Sequence, residues 1–84
     1  MGAREIPAGW DEYVRELGLR LQRARLSMGL TQEEAAYAAG LTRSHYQQLE
    51  KGQSRPGVPA NPSLRTLAAL AETLNVEVGD LIAR

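Results

Sequence analysis

The first clear pattern in the chain is a stripe of apolar residues spaced three and four positions apart. It begins after Trp10 and consists of Val14, Leu17, Leu21, Ala24 and Met28. This spacing is typical of one face of an α-helix. Gly29 follows the stripe, and glycine readily adopts the left-handed conformation that ends many helices. The pattern predicts a long first helix, preceded by an irregular arm of residues 1–9.

Two short helices are predicted next, separated by a glycine. Thr31 and Glu34 have the spacing of a capping box, which predicts a second helix over about residues 32–39. This helix is rich in small side chains, namely Ala35, Ala36, Ala38 and Ala39. Gly40 can turn the chain sharply at no steric cost. Thr42 is a favourable N-cap for a third helix over residues 43–51 that ends near Gly52.

The last third of the sequence predicts a loop and two more helices. Residues 52–61, GQSRPGVPAN, have the composition of a loop. Asn61 as N-cap and Pro62 at the first helical position predict the start of a fourth helix. Its apolar side would consist of Leu64, Leu67, Ala68, Leu70, Ala71 and Leu74. A fifth helix at about 78–83 would add Leu81 and Ile82 to the core. No alternating run of β-branched residues occurs, so we predict an all-α fold with five helices.

Length and composition exclude several classes of protein. The 84 residues indicate one domain with a modest core. The absence of cysteine excludes disulfides, thiolate zinc sites and thiol nucleophiles. We find no nucleophile–base pair, phosphate-binding glycine loop or metal-ligand cluster, and therefore expect no enzyme activity, metal, cofactor or small-molecule ligand. No apolar run is long enough for a membrane span and no signal peptide is evident, so a cytoplasmic protein is expected.

The formal net charge is zero, but the charges are unevenly distributed along the chain. Residues 1–17 and residues 72–84 each carry two more acidic than basic side chains, whereas residues 18–71 carry four more basic than acidic ones. A neutral protein of this kind can still present a basic face to nucleic acid.

The second and third predicted helices form the arrangement that places its second helix in the major groove of DNA. Ala36 and Ala39 would allow the third helix to approach closely, and Tyr46 and Leu49 would form its buried stripe. The outward side chains are then Arg43, Ser44, His45, Gln47 and Gln48. Arginine can form two hydrogen bonds with guanine, and glutamine with adenine. On an isolated helix the same side chains would be an ordinary solvated face.

These positions resemble the XRE/Cro helix-turn-helix family, to which phage repressors belong. The matching residues are Gly29-Leu30-Thr31-Gln32, Ala36, Gly40, Thr42 and Leu49-Glu50-Lys51-Gly52. The resemblance extends over residues 17–82 and implies a lambda-repressor-like, five-helix domain, with residues 1–16 as an arm and the start of helix 1. The chain departs from the family in the loop from Gly52 to Pro62, which is roughly six residues longer than usual, an ordinary length for a surface loop.

The resemblance also implies roles for individual residues. Gln32 corresponds to a glutamine that bonds a DNA phosphate and steadies the start of the recognition helix, although it could simply be a favourable first helical residue. The positions facing base edges are Thr42, Arg43, Ser44 and Gln48, with Gln47 beside them. Arg25 and Glu50 correspond to an ion pair between the first helix and the end of the recognition helix. Further candidates for phosphate contact, each with plain solvent exposure as the alternative, are Arg23, His45, Lys51 and Arg55.

Together these features predict a sequence-specific transcriptional regulator of the repressor type. One helix-turn-helix unit reads few base pairs, so we expect a homodimer on palindromic double-stranded DNA. The N-terminal arm and the C-terminal helix are the two candidate dimer interfaces. The alternative is a protein-interaction module, such as an antitoxin or co-regulator, whose output depends on a partner protein. An exposed reading face with Arg43 and Gln48 would favour DNA, whereas an exposed Trp10 would favour a protein partner.

Overall fold

A computed structural model describes residues 9–82 of the chain. Most of the predicted arm, residues 1–8, and the predicted end of the last helix lie outside this range. In order, the described elements are α1 (Trp10–Ser27), α2 (Gln32–Ala38), α3 (Arg43–Lys51), β1 (Gln53–Arg55), β2 (Val58–Pro59), α4 (Leu64–Leu74) and α5 (Val78–Ile82). The mostly helical fold with five helices confirms the predicted fold class.

Local capping signals explain where α2 and α3 begin. The Thr31 hydroxyl accepts a hydrogen bond from the Glu34 amide at 3.0 Å, and the Glu34 carboxylate accepts one from the Thr31 amide at 2.8 Å. Thr42 caps α3 in the same way by accepting from the His45 amide at 3.0 Å. Both helix starts are as predicted, because a capping side chain satisfies amides that have no partner inside the helix.

The segment predicted as a loop, residues 52–61, contains a β-hairpin instead. β1 and β2 pair antiparallel, with Gln53 opposite Pro59 and Arg55 opposite Val58. The Ala60 amide donates to the Gly52 carbonyl at 2.9 Å, and Ala60 is buried. The turn residues in this segment therefore close a short hairpin whose two ends are bonded together.

The predicted start of the fourth helix is also wrong. Ser63, rather than Asn61, is the N-cap of α4, and its hydroxyl accepts from the Thr66 amide at 3.1 Å. Pro62 consequently precedes the helix and does not occupy its first position. An N-cap side chain bonds an amide two or three residues further along that has no partner inside the helix. Ser63 does this for Thr66, whereas Asn61 lies two residues before the N-cap position.

The core lies between the five helices, and α2 contributes Ala35 and Ala36 to it. Its buried side chains include Leu17, Leu21, Tyr46, Leu70, Leu74 and Leu81. Three side chains predicted for the core are exposed, with Met28 at 46%, Leu64 at 71% and Ile82 at 38% exposure. Ala68 is exposed as well. These four residues lie at helix ends or at the edge of an apolar face, where no neighbouring element covers them.

Two glycines allow α1 to lie directly against α3 and the segment that follows it. A Cβ atom on Gly18 would lie 2.3 Å from the Glu50 carbonyl oxygen. A Cβ atom on Gly52, which has φ +75°, would lie 2.9 Å from the Arg15 Cα. Real Cβ contacts are longer than either value, so both positions require glycine for this approach of two backbones.

Trp10 is half-buried and lies at the start of α1, stacked on Tyr13 with ring centroids 5.5 Å apart. Both rings pack against the core, and the Tyr13 hydroxyl donates to the Ile82 carbonyl. The start of α1 and the end of α5 are thus in contact. The described helices include no candidate for a membrane span.

Candidate nucleic-acid interface

The outward side of α3 presents the polar side chains that the sequence singled out. Thr42, Arg43, Ser44 and His45 are exposed, and Gln47 and Gln48 are half-buried. Tyr46 and Leu49 point the other way and are buried, at 0% and 4% exposure. An amphipathic helix of this kind has one face fixed by packing and leaves the other free to make hydrogen bonds.

Gln48 differs from its neighbours in one respect. Its carbonyl oxygen Oε1 is buried, and it accepts no hydrogen bond from any part of the chain that the structure describes. A buried acceptor without a donor costs free energy, on the order of 1–3 kcal/mol. A side-chain rotation that brings this oxygen to a donor outside the protein would recover that cost.

Behind the polar face, Arg25 of α1 and Glu50 of α3 form an ion pair. Arg25 Nε donates to Glu50 Oε2 at 2.6 Å, and Arg25 Nη2 donates to Glu50 Oε1 at 3.3 Å. The third guanidinium nitrogen, Nη1, donates to the Leu30 carbonyl at 2.9 Å. The two charged side chains are only 10% and 5% exposed. The pair is bidentate and shielded from water, the geometry in which such a contact is strongest.

Two further donors complete the surroundings of the Glu50 carboxylate. Gln32 Nε2 donates to Oε1 at 2.8 Å, and the Tyr46 hydroxyl donates to Oε2 at 2.6 Å. We call these four residues, Arg25, Gln32, Tyr46 and Glu50, the Glu50 cluster. It joins α1, α2 and α3 through one carboxylate.

The Glu50 cluster has fixed protonation states at neutral pH. Burial alone would raise the pKa of Glu50, but the hydrogen bonds from Arg25, Tyr46 and Gln32 outweigh it and hold the pKa below its ordinary value. The hydrogen bond to Glu50 raises the pKa of Arg25. Burial, followed by the bond to Glu50, raises the pKa of Tyr46. The carboxylate and guanidinium are therefore charged, and the phenol is neutral.

The residues predicted to contact phosphate fall into two groups. Gln32 is half-buried at the first position of α2 and is bonded to Glu50. Arg23, His45, Lys51 and Arg55 are exposed. Gln32 also lines an open cleft together with Arg25, Thr31, Glu33 and Arg43. The structure thus places Gln32 against Glu50 near the end of α3, in a cleft that is also lined by Arg43 at the start of that helix.

Sequence reasoning missed the hydrogen bonds of Gln32 and Tyr46 to Glu50. Tyr46 was predicted only as a core residue, and its ring is indeed buried. The single signal in the sequence is the spacing of Tyr46 and Glu50, which lie four residues apart and hence on one side of a helix. The bond from Gln32 requires the relative placement of α2 and α3, which no local pattern specifies.

Known helix-turn-helix proteins resemble this chain over most of its length. The sequence profile of the helix-turn-helix family HTH_3 matches residues 21–81. The restriction-modification controller protein C.AhdI from Aeromonas hydrophila is 36% identical, with a TM-score of 0.70 over 83% of this chain and 96% of that chain. The clp gene regulator ClgR from Corynebacterium glutamicum is 28% identical, with a TM-score of 0.69 over 82% of each chain.

A third similar structure is that of SinR, a Bacillus subtilis protein described as the master regulator for biofilm formation, in complex with DNA. It is 28% identical, with a TM-score of 0.67 over 77% of this chain and 95% of that chain. Comparison with functionally curated proteins gives no significant match. The profile match, the identity to C.AhdI and the capped pair α2–α3 agree, and the chain belongs to the XRE/Cro-type helix-turn-helix family of DNA-binding transcriptional regulators.

Proposed function

We propose that this protein is a cytoplasmic repressor that binds double-stranded DNA sequence-specifically, with α3 in the major groove. The observation that carries the proposal is the polar outer face of α3, supported from behind by the Glu50 cluster. A recognition helix needs exposed hydrogen-bonding side chains and a fixed orientation, since base readout depends on geometry. The family consists of DNA-binding regulators rather than enzymes.

Base readout is assigned to Thr42, Arg43, Ser44, Gln47 and Gln48. Arg43, exposed at the first position of α3, can form two hydrogen bonds with guanine O6 and N7. Gln48 can accept from adenine N6 and donate to adenine N7. Its unpaired Oε1 would gain a donor in that contact. Arg43 and Gln48 are thus expected to specify different base pairs.

Backbone contact is assigned to Gln32, Arg23, His45, Lys51 and Arg55. The basic side chains among them are exposed and can approach phosphates without breaking an ion pair of the described chain. Glu50 is the only acidic residue of α3, and Arg25 neutralises it. The exposed side of α3 is therefore free of an uncompensated negative charge that would repel DNA.

A homodimer on a palindromic site is part of the proposal. One recognition helix contacts only a few base pairs, and a two-fold dimer doubles the sequence that is read. The C-terminal helix α5, one of the two candidate interfaces, contacts the start of α1, where the Tyr13 hydroxyl donates to the Ile82 carbonyl. We do not extend the proposal to a protein partner, because Trp10 is half-buried and stacked on Tyr13.

The test begins with selection of bound duplexes from a random DNA pool. The preferred site is then used to compare Arg43→Ala with Arg65→Ala, which removes an exposed arginine of α4. Arg43→Ala should lower affinity for the preferred site by about 1–3 kcal/mol and relax preference at one base pair. Arg65→Ala should leave base preference unchanged. Recovery of no preferred sequence by the unaltered protein at low salt would contradict the proposal.

A further inference from the structure

The β1–β2 hairpin and the start of α1 form a cleft that the proposed function uses only through Lys51. This hairpin cleft has a volume of about 130 Å³. The side chains that line it include Asp11, Arg15, Lys51, Gln53, Val58 and Pro59. We propose that the hairpin cleft binds one phosphate of the DNA backbone through Arg15 and Lys51, so that the hairpin extends the DNA-binding surface beyond α3. This inference rests on the proposed function and deepens it by adding a second wall to the DNA contact.

Arg15 and Lys51 come from different helices and are held close together by the packing of their backbones. Gly52, which follows Lys51, lies so near α1 that an added Cβ would be 2.9 Å from the Arg15 Cα. Both basic side chains are exposed, and within residues 9–82 neither of them forms an ion pair. Two neighbouring cations repel each other, and an anion bound between them removes that repulsion.

The charge of the hairpin cleft favours a phosphate. Among the described residues that line it, Asp11 is the one acidic side chain, against the two basic ones. The sequence has no acidic residue between Glu50 and Glu72, and Glu50 is neutralised by Arg25. The surroundings of the cleft therefore add no further negative charge from the hairpin, and its net positive charge attracts an anion.

The position of Lys51 connects the hairpin cleft to the reading side of α3. Lys51 lies four residues after Gln47 and seven after Ser44, so the three side chains lie on the same side of the helix. Along the helix axis, Lys51 is about 10 Å from Ser44. The major groove is about 12 Å wide and is bordered by phosphates, so the end of a helix placed in it approaches a backbone strand. The cleft lies at that end of α3.

The hairpin is a fixed wall of the cleft rather than a free loop. Its ends are joined by the hydrogen bond from the Ala60 amide to the Gly52 carbonyl at 2.9 Å. Val58 and Pro59 are half-buried, and β2 contacts α1. The cleft is thus formed before DNA binds, and a preformed site has little conformational entropy left to lose on binding.

The experiment couples single side chains to single phosphates. Affinities of the unaltered protein, Arg15→Gln and Lys51→Gln are measured for the selected duplex and for copies in which one phosphate at a time is replaced by a neutral methylphosphonate. We expect one phosphate per bound subunit whose neutralisation weakens the unaltered protein roughly tenfold, the effect of a charge-assisted hydrogen bond. In both variants the loss at that same phosphate should be only about threefold, because one of its two donors is already absent. Arg65→Gln, at an exposed arginine of α4 that does not line the cleft, should keep the full loss.

Gln53→Glu tests the hairpin wall separately, because it adds a carboxylate to the cleft with almost no change of shape. Binding to the selected duplex should weaken, and neutralisation of the same phosphate should then have little effect, since the cleft no longer has a net positive charge. Circular dichroism selects a temperature at which the variant is folded, and if it does not fold, Arg15→Gln and Lys51→Gln decide alone.

Two results would overturn the inference and leave the proposed function intact. One is a full tenfold loss at every sensitive phosphate in Arg15→Gln. The other is reduced sensitivity at different phosphates in Arg15→Gln and Lys51→Gln, which would show that the two side chains do not share a phosphate. Absence of DNA binding by the unaltered protein would refute both the inference and the proposed function.

Discussion

At the scale of single residues, Glu50 is the point at which three helices are linked. Its two oxygens accept four hydrogen bonds from three side chains, and those side chains come from three helices. Glu50 lies near the C-terminal end of α3, where the helix dipole is negative, so the guanidinium of Arg25 is favoured there twice. Removal of either charge leaves the other buried and unpaired.

The first prediction is that Arg25→Ala and Glu50→Ala each lower the free energy of unfolding by about 3 kcal/mol, because each leaves an uncompensated charge in a shielded site. The double variant should lose less than the sum of the two, since the pair is broken only once. Urea unfolding of the four proteins measures these values. Strictly additive losses would show that the contact contributes no coupling energy.

The second prediction concerns acid. The pKa of Glu50 lies below its ordinary value of 4.5 in the folded protein, so the unfolded chain binds the extra proton first. The contribution of Glu50 to stability is therefore complete above pH 4.5 and is lost as the pH falls through its folded pKa. The unfolding free energies of the unaltered protein and Glu50→Gln should approach each other as the pH falls below 4.5 and through the folded pKa of Glu50. Glu72→Gln, at an exposed carboxylate of α4, is the matched control.

At the scale of secondary-structure elements, the close approach of α1 to α3 depends on Gly18. The third prediction is that Gly18→Ala lowers the free energy of unfolding by about 2 kcal/mol, because the new Cβ would meet the backbone at Glu50 rather than a flexible side chain. The control is Gly79→Ala in α5, where no atom lies within 4 Å of the added Cβ. That change should stabilise by about 0.5–1 kcal/mol through helix propensity. Equal effects of the two substitutions in thermal unfolding would refute this account.

The elements also show what a sequence pattern can and cannot predict. The starts of α2 and α3 could be predicted because Thr31 and Thr42 act on amides three residues away, within the same segment. The hairpin could not, because strands of three and two residues are too short for an alternating pattern. Its closure depends on the contact of Gly52 with Ala60 and on packing against α1.

Some features of the candidate site could likewise be predicted from the sequence and others could not. The outward face of α3 followed from helical spacing, and the structure has those side chains exposed or half-buried. The ion pair of Arg25 and Glu50 was implied by family resemblance rather than by spacing. The donation from Gln32 to Glu50 depends on the angle between α2 and α3, which is set by packing and is invisible in a single sequence.

At the scale of the whole molecule, net charge and binding charge differ. The chain is neutral overall, yet residues 18–71 carry an excess of basic side chains. DNA binding through phosphates releases counterions in proportion to the number of phosphates neutralised. The response of affinity to salt should therefore reflect the local basic face and not the net charge.

The fourth prediction uses this response to count protomers on DNA. The logarithm of affinity should fall linearly with the logarithm of salt concentration, with a slope of about −5 if Arg23, Lys51 and Arg55 contact phosphates in both subunits of a dimer. Arg55→Gln should reduce the steepness by about 2 in a dimer and by about 1 in a monomer. Fluorescence anisotropy with a labelled duplex measures both slopes. A slope near zero would contradict phosphate contact by these residues.

The bond between the two ends of the hairpin segment affects how the chain tolerates changes in length. The Gly52 carbonyl and the Ala60 amide are 2.9 Å apart, so the chain leaves the helical framework and returns to it at almost the same place. Residues between these two points can be added or removed without changing the distance that the chain must span to reach α4. Insertions and deletions should therefore be tolerated at the exposed turn of Pro56 and Gly57, where they alter the surface beside the recognition helix and leave its orientation unchanged.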